Sequence, residues 1–384
     1  MDGAMATRRL IALVRSAADG TGDLAVEAFD EPSIRWAVDT GLGPLMLRAA
    51  ARHPAAATSP LWPLLRAADL SARVITAEQM DAMTEILDAC RGAVPPPVLL
   101  KGISICEQYY PEPHLRPMRD IDVLVEHEAV PLLEGLLSKL GYCQASDRPP
   151  AFYATHHHGA PFFHPDTGVW VDVHHALVAS TSALRADRVF RVEHLKAELR
   201  PSRFGGRPAR RLSDELQLVH LACHWAHRFQ VLGGMVAMVD VACLLKNAGP
   251  VDWSRIAEWT RHSVASRYVS LLLTYLAKHR LVALDPDVIA RLSPDAGPLD
   301  RLGRTVGHAL IDRYVVDGCE FGRLVSERTV GRMWSALVVR RPPSRPPPPW
   351  RRAGQPPAPP TPDGRSGADQ ATARAAAPGC GGDE

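Results

Sequence analysis

The 384-residue chain sets 44 Lys and Arg against 42 Asp and Glu, a formal charge of +2, with 46% hydrophobic residues. That balance suits a globular protein with a sizeable core and removes the broad basic surface of a dedicated duplex-binding protein, so nucleic acid is disfavoured as a partner. Seven cysteines, odd in number and without a Cys-x-x-Cys pair, argue against a disulfide framework and read as the reduced thiols of a cytoplasmic protein.

Near the start, Arg8-Arg9 is followed only by Leu10-Ile11-Ala12-Leu13-Val14 before Arg15, too short an apolar run for a secretory signal. Residues 1–95 are predicted to be helical, with Met80, Met83, Ile86 and Leu87 at helical spacing and Pro95-Pro96-Pro97 ending the segment. From residue 96 to 200 the pattern changes to short β-branched runs around one helix, Glu128 to Leu140, whose Val130, Leu133, Leu136, Leu137 and Leu140 form a stripe. Residues 201–340 return to helix. Ser213 reads as an N-cap, a further helix follows Asp252-Trp253, and Tyr268 to Leu276 reads as a buried one. The apolar run Val231 to Val239, ended by Asp240, falls far short of the ~20 residues that cross a bilayer, so no membrane role is expected. Residues 341–384 hold 12 of the 34 prolines and almost no aliphatic side chains, the composition of a disordered tail. The expected fold class is α+β: an α/β core with a small mixed sheet, flanked by N- and C-terminal helical regions.

Chemistry concentrates in three stretches: Leu99-Leu100-Lys101-Gly102, Arg116-Pro117-Met118-Arg119-Asp120-Ile121-Asp122-Val123-Leu124-Val125, and Val169-Trp170-Val171-Asp172-Val173-His174. A strand alternates its side chains between two faces, which puts Asp120 and Asp122 together, opposite Ile121, Val123 and Val125. The valines at 169, 171 and 173 leave Trp170, Asp172 and His174 on the other face, where Asp172 can join the first two carboxylates. Three clustered carboxylates repel one another without a cation, and oxygen ligands suit Mg²⁺ or Mn²⁺ rather than zinc. A metal trio of Asp120, Asp122 and Asp172 is therefore expected, with Lys101 and Arg116 supplying charge to the phosphates of a nucleoside triphosphate. Gly102, at the strand end, would let the backbone approach a phosphate, and the helix after it would attract anions.

Histidines are dense at 156–158, 164, 174–175, 220, 224 and 227. His220 and His224 have the spacing of a zinc helix but lack its glutamate. His156-His157-His158 read as surface residues, His224 as a core-facing one, and His174 and His224 as candidates for bordering the acceptor. Arg255 and His262, with six residues between them, match an RNA-cutting spacing that an arginine-rich chain meets by chance.

Together these stretches resemble the uncharacterised nucleotidyltransferase family of the DNA polymerase β-like superfamily, in which a lysine-glycine turn precedes an Arg-x-x-x-Asp-Ile-Asp strand. Tyr109-Tyr110, Gly141-Tyr142, Val171-Asp172-Val173-His174 and the Leu212 to His224 segment extend the likeness over roughly residues 35–285. The resemblance implies metal carboxylates at Asp120, Asp122 and Asp172 and nucleotide-side positions at Lys101, Gly102, Ser104 and Arg116. It departs from the wider superfamily at the nucleotide turn, where Lys101-Gly102-Ile103-Ser104 replaces a Gly-Gly or Gly-Ser pair. The implied activity is Mg²⁺- or Mn²⁺-dependent transfer of a nucleoside monophosphate from an NTP such as ATP to a small-molecule, peptide or protein acceptor. The implied setting is specialised metabolism or modified-peptide biosynthesis. The alternative is a nucleotide-binding regulator or antitoxin-like partner without turnover.

Overall fold

Proline and a capping carboxylate start the first of the described helices: Asp30 accepts from the Ser33 amide at 2.9 Å, and α1 runs over Glu31–Asp39. The computed structural model describes residues 30–312, apart from 53, 147, 228–233 and 294–296. The Arg8 to Arg15 segment and the tail at 341–384 lie outside the described residues. After α2 (Gly43–Ala50) comes the long α3 (Trp62–Cys90), whose Thr76, Gln79, Met83, Ile86, Leu87 and Cys90 fall on one buried face. The triple proline then separates α3 from β1 (Val98–Leu100).

Among the described residues, seven strands form one mixed sheet in the order β3-β4-β5-β2-β1-β7-β6. They are β1, β2 (Ile121–Leu124), β3 (Cys143–Gln144), β4 (Phe162–Phe163), β5 (Trp170–His174), β6 (Leu199–Phe204) and β7 (Arg207–Leu212). Strand β6 spans the 200/201 boundary expected from sequence, and the β6-β7 hairpin extends the sheet beside β1. Between them lie α4 (Lys101–Tyr109) and α5 (Val130–Lys139), the latter one turn shorter than the Glu128 to Leu140 reading because His127–Ala129 forms a 3₁₀ turn.

The two faces of the sheet have different fates. Leu99, Ile121, Val123, Val171 and Val173 pack into a core with the C-terminal half of α3 and with Leu133 and Leu137 of α5. Val98, Leu100 and Leu124 point the other way, into a larger core built with the C-terminal helices. Those helices are α6 (Asp214–His227), α7 (Gly234–Asn247), α8 (Trp253–Thr260), α9 (Val264–Lys278), α10 (Pro286–Leu292) and α11 (Pro298–Leu310). Ser213 accepts from the Leu216 amide at 3.3 Å and Asp252 from the Ser254 and Arg255 amides at 3.0 and 3.1 Å, as N-caps do. One expectation changes here. Asp240 does not end the apolar run; α7 continues through it, and the carboxylate is wholly buried. Among the described residues no helix is long and apolar enough to cross a membrane.

Candidate metal centre

β2 and β5 pair in parallel with Asp122 opposite Asp172 and Leu124 opposite His174. Because side chains on paired strands share a face at equal register, this pairing alone brings Asp122, Asp172 and His174 together on the face turned toward the helices. One ligand-type atom from each of the three lies within 4.8 Å of the others, and all three residues are buried. Asp120 is not part of this group. The parity argument needs Asp120 inside the strand, whereas β2 begins at Ile121 and Asp120 is half-buried in the turn before it. The donor set is thus two carboxylates and an imidazole rather than three carboxylates.

Asp122 is the hub. Its Oδ1 accepts from Lys101 Nζ at 2.7 Å and from His174 Nε2 at 2.7 Å. An ionised carboxylate only accepts, so Nε2 carries the proton in this contact. Burial pushes the Asp122 carboxyl up, but the Lys101 ammonium and the His174 hydrogen bond outweigh it and hold the group well below the usual carboxylate range. Burial opposes the charge on Lys101 as well, yet Asp122, Asp120 and Asp172 together raise its pKa. His174 is lowered by burial and by the nearby Lys101 charge, with its bond to Asp122 opposing both.

The turn that delivers Lys101 is tightly constrained. Lys101 has φ 45°, a left-handed conformation that a side-chain-bearing residue adopts at a cost, and it opens α4 directly after β1. A Cβ on Gly102 would sit 2.8 Å from Arg116 Nη1 and 2.8 Å from Met118 Cγ. Glycine is needed there for close packing, not for an open approach to phosphate. Arg116 in turn donates from Nη2 to Asp240 Oδ2 at 2.9 Å and from Nε to Oδ1 at 3.1 Å, while the Tyr110 hydroxyl reaches Oδ1 at 2.9 Å. The expected phosphate role of Arg116 is therefore not what its guanidinium does here; the fork is closed on a buried carboxylate. Ser104 also departs from expectation. It is fully buried on the inner side of α4, with Oγ accepting from Gln108 at 2.9 Å.

Histidines placed at the surface by the sequence reading lie against the site. His158 bridges His174 across the edge of β5, and the His157 and His158 rings sit 5.1 and 5.2 Å from the His174 ring. Burial, with the charge of His174, pushes His158 down to about 3 and lowers His157 further. His220, on α6, is 2% exposed. Its pKa is pushed down to about 3 by burial first and then by the charges of Lys101 and His174, which places it beside the same cluster. His224 reverses the core-facing expectation: it is exposed, its ring 6.1 Å from that of His220. Trp170 shares the parity of Asp172 and packs at a tilt against Phe163, with ring centroids 4.8 Å apart. Arg255 is held by Glu198 and lies over the Trp259 ring.

Sequence signals for the overlooked residues exist in part. Asp240 is a lone charge between Val231–Val239 and Val241-Ala242-Cys243-Leu244-Leu245. A carboxylate so flanked is buried and needs a cationic partner. Nothing local in His156-His157-His158 points to His174, because the contact depends on how the loop returns along β5.

Two carboxylates and an imidazole on adjacent strands, beside a lysine-bearing turn, form a buried group that could hold a metal ion. Residues 30–281, more than half of the chain, match the model of a family described as uncharacterised nucleotidyltransferase, and the chain belongs to that family. It is a transferase by class. Neither curated proteins nor solved structures give a match.

Proposed function

We propose that the protein is a Mg²⁺- or Mn²⁺-dependent nucleotidyltransferase that moves a nucleoside monophosphate from an NTP to a hydroxyl or phosphate acceptor and releases pyrophosphate. The observation that carries this reading is the β2-β5 register, which sets Asp122 beside Asp172 with His174 in reach. Two hard oxygen donors suit Mg²⁺, and the added imidazole moves the preference toward Mn²⁺. When bound, such an ion offsets charge on the triphosphate and lowers the pKa of an attacking hydroxyl.

The remaining work belongs to the chain. Asp122 and Asp172 hold the cation together with His174, whose Nε2 lies against Asp122. Lys101 lies on the nucleotide side and complements phosphate charge, with Gly102 fixing the turn that presents it. Asp120, half-buried in the turn before β2, is the third carboxylate and takes the acceptor proton. His224, exposed on the helix that carries His220, forms the acceptor-side wall, so α6 rather than the sheet selects the acceptor. That acceptor is a small molecule, peptide or protein, in a setting of specialised metabolism or peptide modification, and ATP is the first nucleotide to examine.

Incubating the protein with each of four α-labelled NTPs, Mn²⁺ or Mg²⁺ and cell extract tests this reading. Metal-dependent transfer of label to a product, lost in Asp122→Asn, is expected. Nucleotide binding without any transfer would instead fit the regulator or antitoxin-like partner.

A further inference from the structure

The three groups that would hold a divalent ion already face a cation. Lys101 Nζ lies 2.7 Å from Asp122 Oδ1, and the two side chains are only 16% and 4% exposed. Its charge also interacts with Asp120 and Asp172, so one ammonium faces the whole carboxylate cluster. The ammonium is a point charge on a four-carbon stem with several rotatable bonds, able to swing while the backbone stays fixed. The backbone here is fixed: Lys101 holds a left-handed φ of 45°, and Gly102 behind it is clamped by Arg116 and Met118. A divalent ion on Asp122 Oδ1 would repel the ammonium more strongly than that single oxygen attracts it, because the ion carries twice the charge.

We propose that Lys101 is the resident counter-cation of this site: a divalent ion entering among Asp122, Asp172 and His174 displaces its ammonium, which turns toward the triphosphate. This inference rests on the metal-dependent reading above and adds a specific order to it. Without metal, Lys101 neutralises the carboxylates and is withheld from phosphate. With metal, the same side chain is released to the nucleotide. Metal loading thereby prepares the triphosphate grip, and a single positive charge serves both states.

Two measurements on the full chain test the exchange. Mn²⁺ affinity, read by electron paramagnetic resonance of free Mn²⁺ without nucleotide, should tighten by roughly tenfold or more in Lys101→Met, the scale set by removing one unit charge beside the ligands. Lys101→Arg keeps the charge and should stay near wild type. In the wild-type protein, Mn²⁺ should raise labelling of Lys101 by an amine-reactive probe, read by peptide mass spectrometry, which needs no variant to fold. If Mn²⁺ binds while Lys101 labelling and the Lys101→Met affinity stay unchanged, the exchange is wrong and the metal site stands. If neither wild type nor Lys101→Met binds Mn²⁺, the metal reading itself falls.

Discussion

Two buried cations flank the same turn, Lys101 and Arg116, and each side chain is 16% exposed. Arg116 meets a fully buried Asp240 through two nitrogens, and Tyr110 adds a third bond to the same carboxylate. Lys101 meets Asp122 through one bond and shares the accepting oxygen with His174. Equal burial therefore conceals unequal saturation. The closed pair, tying the α4 end and the turn before β2 to α7, commits two guanidinium nitrogens and a tyrosine hydroxyl to one carboxylate; the open one faces further carboxylates and can trade its cation. Structural and chemical roles diverge between Lys101 and Arg116, and the number of bonds per charge, not depth, separates them.

Removing a partner from each pair should break this comparison in opposite ways. Asp240→Ala leaves the Arg116 guanidinium and the Tyr110 hydroxyl without their acceptor, and should cost about 3–5 kcal/mol of stability in a denaturant titration. Asp122→Asn should cost markedly less, because the flexible Lys101 ammonium can move to water, yet it should abolish metal-dependent transfer. If Asp122→Asn proved the more destabilising of the two while transfer survived, the assignment of roles would be reversed.

A smaller effect sharpens the picture on the helix side. His220 has its pKa pushed down to about 3 by burial and then by Lys101 and His174, with Asp122 opposing. In the unfolded chain its pKa returns to ~6.5. Between those limits the unfolded state binds the extra proton, so stability is full above about 6.5 and falls as pH drops toward 3. His220→Asn should flatten that acid slope by one proton, about 1.4 kcal/mol per pH unit, in urea titrations between pH 7 and 4.5. An unchanged slope would place His220 in contact with water.

How far the sequence led can be seen residue by residue. Valine alternation around Asp172 and the Asp120-Ile121-Asp122 spacing are local signals, and they located the two strands that carry the site. What alternation cannot supply is which strands pair, and in what register. The exchange of Asp120 for His174 in the buried group follows from where β2 begins and from Leu124 lying opposite His174. Arg116 and Asp240 are 124 positions apart, so no local pattern joins them. Ser104 looked like a turn hydroxyl beside Gly102, but α4 starts at Lys101 and rotates Ser104 into the core. The helical regions were more legible, since Ser213 and Asp252 act as caps through bonds spanning only a few residues.

The most direct test of the central claim is Mn²⁺ binding to wild-type protein and to Asp122→Asn, followed by electron paramagnetic resonance at neutral pH, with circular dichroism confirming that both are folded. Wild type should bind Mn²⁺ stoichiometrically, and Asp122→Asn should lose that binding while keeping its fold. Equal Mn²⁺ binding by the two proteins, or none by wild type, would contradict a metal centre built on Asp122, Asp172 and His174.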